Sequence, residues 1–224
     1  MKKLVAGIVK FRTDVLPNYR DTFARLALGQ SPDTLFIGCS DSRVAVNVFA
    51  STDPGDLFVV RNVGNLVPPC DANGQSTADE SEAAAIEFAV STLKVSSIVV
   101  CGHSECGAMQ AIAAGREKVP TVNLRAWLRH GDESLEAIDS APVSATPLTR
   151  YNQLSQINVI KQLESLKTYP IVQERLKAGK LTLHGWWFDV SRADVYAYEE
   201  SVKQFVLIDE TEAARILERM SENS

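Results

Sequence analysis

Three apolar runs do most to limit what this chain can fold into: Thr34-Leu35-Phe36-Ile37-Gly38, Leu57-Phe58-Val59-Val60-Arg61-Asn62 and Ser97-Ile98-Val99-Val100-Cys101-Gly102. None alternates polar with apolar residues, as a strand with one wet face would, so each reads as a strand buried on both faces. Turn residues precede two of them, Gln30-Ser31-Pro32-Asp33 and Asp53-Pro54-Gly55-Asp56. A fourth run, Leu181 to Phe188, follows after a turn from a helix that Pro170 opens and Gly179 closes. Strands separated by helical patterns imply a mainly parallel sheet covered on both faces. The expectation is an α/β fold: four parallel strands, an edge strand over Val195-Tyr196-Ala197-Tyr198, and helices on both faces.

The helical segments follow from apolar spacing. Residues 8–29 carry a helical pattern that Pro17 interrupts, so a kink or break is expected near residue 16. Thr77-Ala78-Asp79-Glu80 matches a capping box for a helix running to about Lys94. Ser104 is positioned to cap a helix from Glu105 to Ala114, with Gly115 after its end. Residues 121–130 read as helical and 131–147 as a surface loop. Leu148 to Leu166 is a long helix with Tyr151, Leu154, Ile157, Ile160 and Leu163 on its buried side, and a last helix spans roughly Glu210 to Met220. At 224 residues, with no repeat or linker, a single domain is expected: a helical arm over 1–30, an α/β core over 31–208 and a terminal helix over 209–224.

A parallel sheet delivers whatever follows its strands to one edge. The first strand runs into Cys39-Ser40-Asp41-Ser42-Arg43 and the third into His103-Ser104-Glu105-Cys106. If these strands are neighbours whose connections leave in opposite directions, the two motifs meet at the switch point where α/β sheets bind ligands. Two cysteines and a histidine suit Zn²⁺, and three protein ligands with a replaceable fourth make a catalytic rather than a structural arrangement. Cys106, in the first turn of its helix, gains from unpaired N–H groups that favour a thiolate. Asp41 could complete the metal shell, but Arg43 offers a fork that would hold its carboxylate off the metal and leave that place to water. Asp41 and Arg43 together read as a switch.

The remaining chemistry is bounded by exclusion. A formal charge of −5 leaves no basic footprint for nucleic acid. No apolar run approaches the roughly 18 residues needed to span a bilayer, and Lys10 and Arg12 end the apolar start too early for a signal peptide. A cytoplasmic protein with its cysteines (39, 70, 101 and 106) reduced is expected. Cys101 lies inside an apolar strand and reads as core packing, whereas Cys70 in its loop reads as a free thiol. His130 and His184 lack neighbouring ligand types and take hydrogen-bonding or surface roles. Trp186 and Trp187 either line a pocket or pack a strand against helices. Arg61 either orients its own loop or acts near the site.

The pair Cys39-Ser40-Asp41-Ser42-Arg43 and Gly102-His103-Ser104-Glu105-Cys106-Gly107 closely resembles the β-class carbonic anhydrases. The likeness extends through Gln30-Ser31-Pro32, Pro54-Gly55-Asp56, Val60-Arg61-Asn62-Val63, Ala84-Ala85-Ile86-Glu87-Phe88 and His184-Gly185-Trp186, about residues 20–190. It implies one Zn²⁺ per subunit on Cys39, His103 and Cys106, with Asp41 as a fourth ligand only in a closed state. The implied reaction is reversible hydration of carbon dioxide to bicarbonate and a proton by zinc-bound hydroxide, with Asp41 and Arg43 as a dyad. It also implies a homodimer or higher even-numbered homo-oligomer embraced by the N-terminal helices. The plant-type subgroup places Gln30 at the substrate oxygen and Phe58, Val63, Phe88 and Gly102 around the substrate. Another subgroup carries a non-catalytic bicarbonate site built on tryptophan, arginine and tyrosine. Phe36, Arg61 and Phe188 stand in their places here, so that site is not expected and the dyad should be open at neutral pH. Two other readings keep the metal: hydrolysis of COS or CS₂ by the same centre, and a non-enzymatic bicarbonate-binding scaffold, against which the intact Asp41, Arg43 and Gln30 argue.

Overall fold

The computed structural model describes residues 1–78, 80–140 and 148–222. The chain opens with helix α1 (Lys2–Lys10), a π-helical turn (Phe11–Val15) and α2 (Leu16–Leu26). Pro17 sits at the start of α2, where its missing N–H costs no hydrogen bond, and the π turn absorbs the expected break. No residue of α1 is buried, and Leu4, Val5, Ile8 and Val9 are 56–66% exposed.

Then come β1 (Thr34–Cys39), the short α3 (Val46–Phe49), β2 (Leu57–Asn62) and α4 (Glu80–Glu87). A π turn over Phe88–Leu93 extends α4 and closes on Lys94 in the left-handed region, φ 58°. Asp79, the third residue of the expected capping box, lies outside the described residues. After β3 (Ser97–His103) follow α5 (Gly107–Ala113), α6 (Val122–Trp127) and α7 (Asp132–Glu136). The stretch expected as a loop over 131–147 therefore begins as a short helix, and its residues 141–147 lie outside the described ones. The chain ends with α8 (Arg150–Leu166), α9 (Pro170–Lys177), β4 (Thr182–Asp189), β5 (Asp194–Glu199), β6 (Gln204–Leu207) and α10 (Glu210–Glu222).

The strands form one six-stranded sheet in the order β2-β1-β3-β4-β5-β6. The pairs β1·β2, β1·β3 and β3·β4 are parallel, whereas β4·β5 and β5·β6 are antiparallel. The sheet is thus mixed, and two expectations change. The 195–198 segment is not an edge, because the short β6 pairs beyond it. Nor is β2 buried on both faces: it is the edge of the parallel half, and Val59 is 39% exposed.

The central strands carry the apolar load. Leu35, Ile37, Ile98 and Val100 face Val159, Leu166, Tyr169 and Val172 from α8, α9 and the turn between them. On the opposite face Phe36, Val99, Cys101 and Phe188 pack with Val44, Val46 and Phe49. Cys101 is fully buried, as its place in a strand implies. β1 lies between β2 and β3, with Gly38 in register with Cys101, so the chain leaves β1 in one direction and returns on its other side. That reversal is the switch point, and it sets Cys39 beside His103.

Candidate metal centre

Cys39 is the last residue of β1, His103 the last of β3, and Cys106 stands immediately before α5. All three are at least 95% buried, and their ligand atoms lie within 4.8 Å of one another. His103 Nδ1 donates to the Ser104 carbonyl at 2.8 Å, since a carbonyl can only accept. That bond fixes the tautomer and leaves the Nε2 lone pair facing the two thiols. Nε2 is buried with no hydrogen-bond partner among the described residues, as suits a nitrogen that could ligate a metal.

The two thiols behave as a pair. The Cys39 thiol is lowered to about 4, first by a hydrogen bond from Cys106 and then by the N–H groups of Asp41 and Gly64, against the cost of burial. Cys106 is pushed up, by its hydrogen bond to Cys39 and by burial, although the N–H groups of Met109 and Ala108 favour its thiolate. The pair therefore shares one proton, which a divalent cation would release. Cys101, buried and near the Cys39 charge, is pushed up as well and stays a neutral core thiol. Cys, His and Cys, all buried and within reach of one point, with one orphaned imidazole nitrogen, suit Zn²⁺.

Asp41 lies beside this cluster, its Oδ2 3.9 Å from His103 Nε2. Arg43 holds it through a fork: Nε donates to Oδ1 at 2.9 Å and Nη2 to Oδ2 at 2.7 Å, with the Arg43 N–H adding a bond of 3.0 Å to Oδ1. These bonds hold the Asp41 carboxyl well below the usual carboxylate range, burial opposing them. Arg43 Nη2 also donates to the Glu105 carbonyl at 3.0 Å, tying the two motifs together. Arg61 orients the first motif from its other side, donating to the carbonyls of Cys39 (2.8 and 3.0 Å) and Asp41 (2.6 Å).

The helix after His103 begins two residues later than its sequence suggests. The Ser104 hydroxyl accepts the Val190 N–H at 2.9 Å instead of capping a helix, and Glu105 takes a left-handed conformation, φ 56°. Gly102 is needed for packing: a Cβ there would stand 2.8 Å from Val159 Cγ2 and 3.0 Å from Ser155 Oγ on α8. Phe58 and Phe88 face each other with ring centroids 5.8 Å apart, and Val63 lines a shallow depression with Ser40, Asn62 and Trp127. Gln30 lines a different cleft, with Arg25, Asp53 and Asp56, that includes none of the three metal-ligand candidates.

Sequence reasoning missed a polar stripe on α8. Asn152, Ser155, Asn158 and Gln162 are all at least 92% buried on the face read as apolar. Asn152 Oδ1 accepts the Glu105 N–H at 2.8 Å, and Ser155 Oγ donates to the His103 carbonyl at 2.9 Å. Asn158 Nδ2 donates to the Gly64 carbonyl at 3.2 Å, while the Gly64 N–H points at Cys39 Sγ, 3.4 Å away. Gln162 Oε1 accepts the Val67 N–H at 2.7 Å. The signal was present as polar residues at steps of three and four, in phase with Leu154 and Ile157.

Comparison with known proteins places this geometry in context. Residues 34–195 match a protein-family model described as carbonic anhydrase. A carbonic anhydrase of Pseudomonas aeruginosa is 40% identical over 212 residues, covering 94% of this chain and 93% of that protein. Carbonic anhydrase 1 of Escherichia coli O157:H7 is 40% identical over 208 residues, 92% and 91% of the two chains. Among solved structures, the β-carbonic anhydrase CcaA superposes with a TM-score of 0.83 at 37% identity, covering 92% of this chain and 98% of that one. A tetrameric β-carbonic anhydrase of Sordaria macrospora gives 0.65 at 32% identity, covering 88% and 92%.

Proposed function

The chain belongs to the β-class carbonic anhydrase family, and from that premise we propose that it catalyses the reversible hydration of carbon dioxide to bicarbonate and a proton. The observation that carries the reading is the convergence of Cys39, His103 and Cys106 on one buried point, with the unpartnered His103 Nε2 facing the thiols. These three would hold a zinc ion, which when bound would supply a Lewis acid able to lower the pKa of water.

The chain's own residues do the rest. Arg43 keeps Asp41 ionised and turned away, so that the carboxylate is an acceptor beside the site and not a ligand within it. An ionised acceptor there orients a donor O–H so that its lone pair faces the substrate carbon. Arg61 fixes the backbone that carries Asp41. Phe58, Val63 and Phe88 offer apolar surface of the kind a small, non-polar substrate needs, Gly102 adjoins His103 in β3, and Gln30 would reach the substrate through assembly of the subunits. The plant-type subgroup fits best, because Phe36 and Phe188 lie in an apolar cluster around Phe49, whose ring stacks on Phe188 at 4.7 Å. Such a cluster offers no polar partner for a second bicarbonate.

An even-numbered homo-oligomer is part of the proposal. The exposed Leu4, Val5 and Ile8 of α1 and Val59, Val63 and Phe88 beside the β2 edge are surfaces that a second copy would cover. A cytoplasmic location suits a site that needs two reduced thiols, and no described helix is long and apolar enough to cross a membrane. Stopped-flow assay of the zinc-replete protein across pH 6 to 9 tests the reaction, with COS and CS₂ turnover measured alongside. Carbon dioxide hydration no faster than in buffer would reject it.

A further inference from the structure

Glu105 lies between two metal-ligand candidates in a conformation that a residue with a side chain rarely adopts, φ 56°. Something must hold it there. Asn152 on α8, 92% buried, grips it twice: Oδ1 accepts the Glu105 N–H at 2.8 Å, and Nδ2 donates to Glu105 Oε1 at 3.1 Å. The amide orientation is fixed, since only oxygen can accept the N–H and only nitrogen can donate to a carboxylate. Tyr151 completes the clamp, its hydroxyl donating to Glu105 Oε2 at 3.1 Å. Both oxygens of the carboxylate and the backbone N–H are thus held by two successive residues of one helix.

The held backbone has two consequences. The left-handed turn sends the chain from His103 back to Cys106, so that Cys106 Sγ meets Cys39 Sγ and His103 Nε2. It also aims the Glu105 carbonyl at Arg43 Nη2, 3.0 Å away, the same nitrogen that holds Asp41 Oδ2 at 2.7 Å. Ligand placement and dyad placement therefore share one support.

We propose that Asn152, acting through Glu105 with Tyr151, is a positioning residue that sets the Cys106 thiol and the Arg43 anchor of the metal centre. The inference rests on the zinc reading given above. Its chemistry predicts an unusual rescue. Glycine adopts positive φ without a Cβ penalty, so Glu105→Gly removes the need for a clamp.

The test measures zinc loss to a chelator and the visible spectrum of the cobalt(II)-substituted protein, beside the melting temperature of the metal-free form. For Asn152→Ala, zinc loss is expected to be about 10- to 100-fold faster, the range typical when a group behind a ligand is removed, with altered cobbalt–thiolate bands. In the Glu105→Gly/Asn152→Ala double variant, zinc retention and the bands should return to those of Glu105→Gly alone. Asn152→Ala with unchanged zinc loss and spectrum would overturn the proposal, as would a double variant as leaky as Asn152→Ala, which would mean general damage to α8. Loss of fold in Asn152→Ala, seen as no cooperative melting, is answered by Tyr151→Phe. That variant leaves the Asn152 bonds in place and should show a smaller change in the same two readouts; no change there overturns the clamp. A wild-type chain that takes up no zinc would instead reject the metal reading itself.

Discussion

The two loops that meet at the candidate metal centre are held by largely different chemistry. Cations tie residues 39–43: Arg43, its side chain 44% exposed, grips the Asp41 carboxylate, and Arg61 grips the carbonyls. Residues 103–106 are tied mainly by neutral groups of α8: Ser155 holds the His103 carbonyl and Asn152 holds Glu105 from a buried face, with Arg43 adding one bond across to the Glu105 carbonyl. Water and salt compete with an exposed ion pair, whereas a buried amide has no alternative partner. In the proposed function the first loop would exchange partners at Asp41 and the second would not, so that one centre would combine a fixed ligand frame with one movable carboxylate.

Breaking the fixed frame should have the largest effect. For His103→Ala or Cys106→Ala, zinc content after dialysis against a weak chelator should fall from about one per chain to below about a tenth, because three donors are the minimum set here. Metal analysis by emission spectroscopy reads this directly. A variant that kept its zinc would show that the three residues do not form the frame.

Removing the movable carboxylate should leave the metal and lose the rate. For Asp41→Asn, zinc content is expected to be unchanged while kcat falls on the order of 10²-fold, the scale of a positioned acid–base group. Loss of zinc in this variant would make Asp41 part of the frame and erase the contrast between the loops.

A smaller effect is expected where charge is kept and geometry is lost. Arg43→Lys retains the cation but not the fork that spans both Asp41 oxygens, so about a tenfold fall in kcat/KM follows from losing one charged hydrogen bond. Raising ionic strength should weaken this variant more than the wild type. Tyr151→Phe, which alters the α8 support of the other loop, should show no added salt sensitivity. Equal salt responses would show that the two loops are held alike.

What the sequence could say about these loops follows the same division. Apolar runs revealed β1 and β3, and the residues after them supplied the candidate ligands, because a parallel sheet delivers both to one edge. Charged partners close in sequence, Asp41 and Arg43, were also visible. The partners of the second loop were not: Asn152 and Ser155 lie nearly fifty residues or more from Glu105 and His103 (152 − 105 = 47; 155 − 103 = 52), and buried polar residues on a helix look like surface ones until the fold is known. The start of α5 moved for the same reason, since Val190 claims the Ser104 hydroxyl from a distant strand end. Composition likewise could not tell β2, an edge strand with exposed Val59, from a central strand. At four residues β6 was too short to carry a pattern.

The smallest effect concerns stability, and its sign tests the ion pair alone. Arg43 holds the Asp41 carboxyl below its ordinary value near 4, so the folded chain binds that proton less readily than the unfolded chain does. A carboxyl lowered in this way adds stability that is fully present above about pH 4 and is lost as pH falls through the lowered folded value. In metal-free protein, the difference in stability between wild type and Asp41→Asn should be flat from pH 5 to 9, on the order of 1 kcal/mol or less for so exposed a pair. It should shrink only below about pH 4. Denaturant melts at fixed pH measure it. Were the difference to close between pH 5 and 8 instead, Asp41 would titrate near neutrality and Arg43 could not be what holds it off the metal.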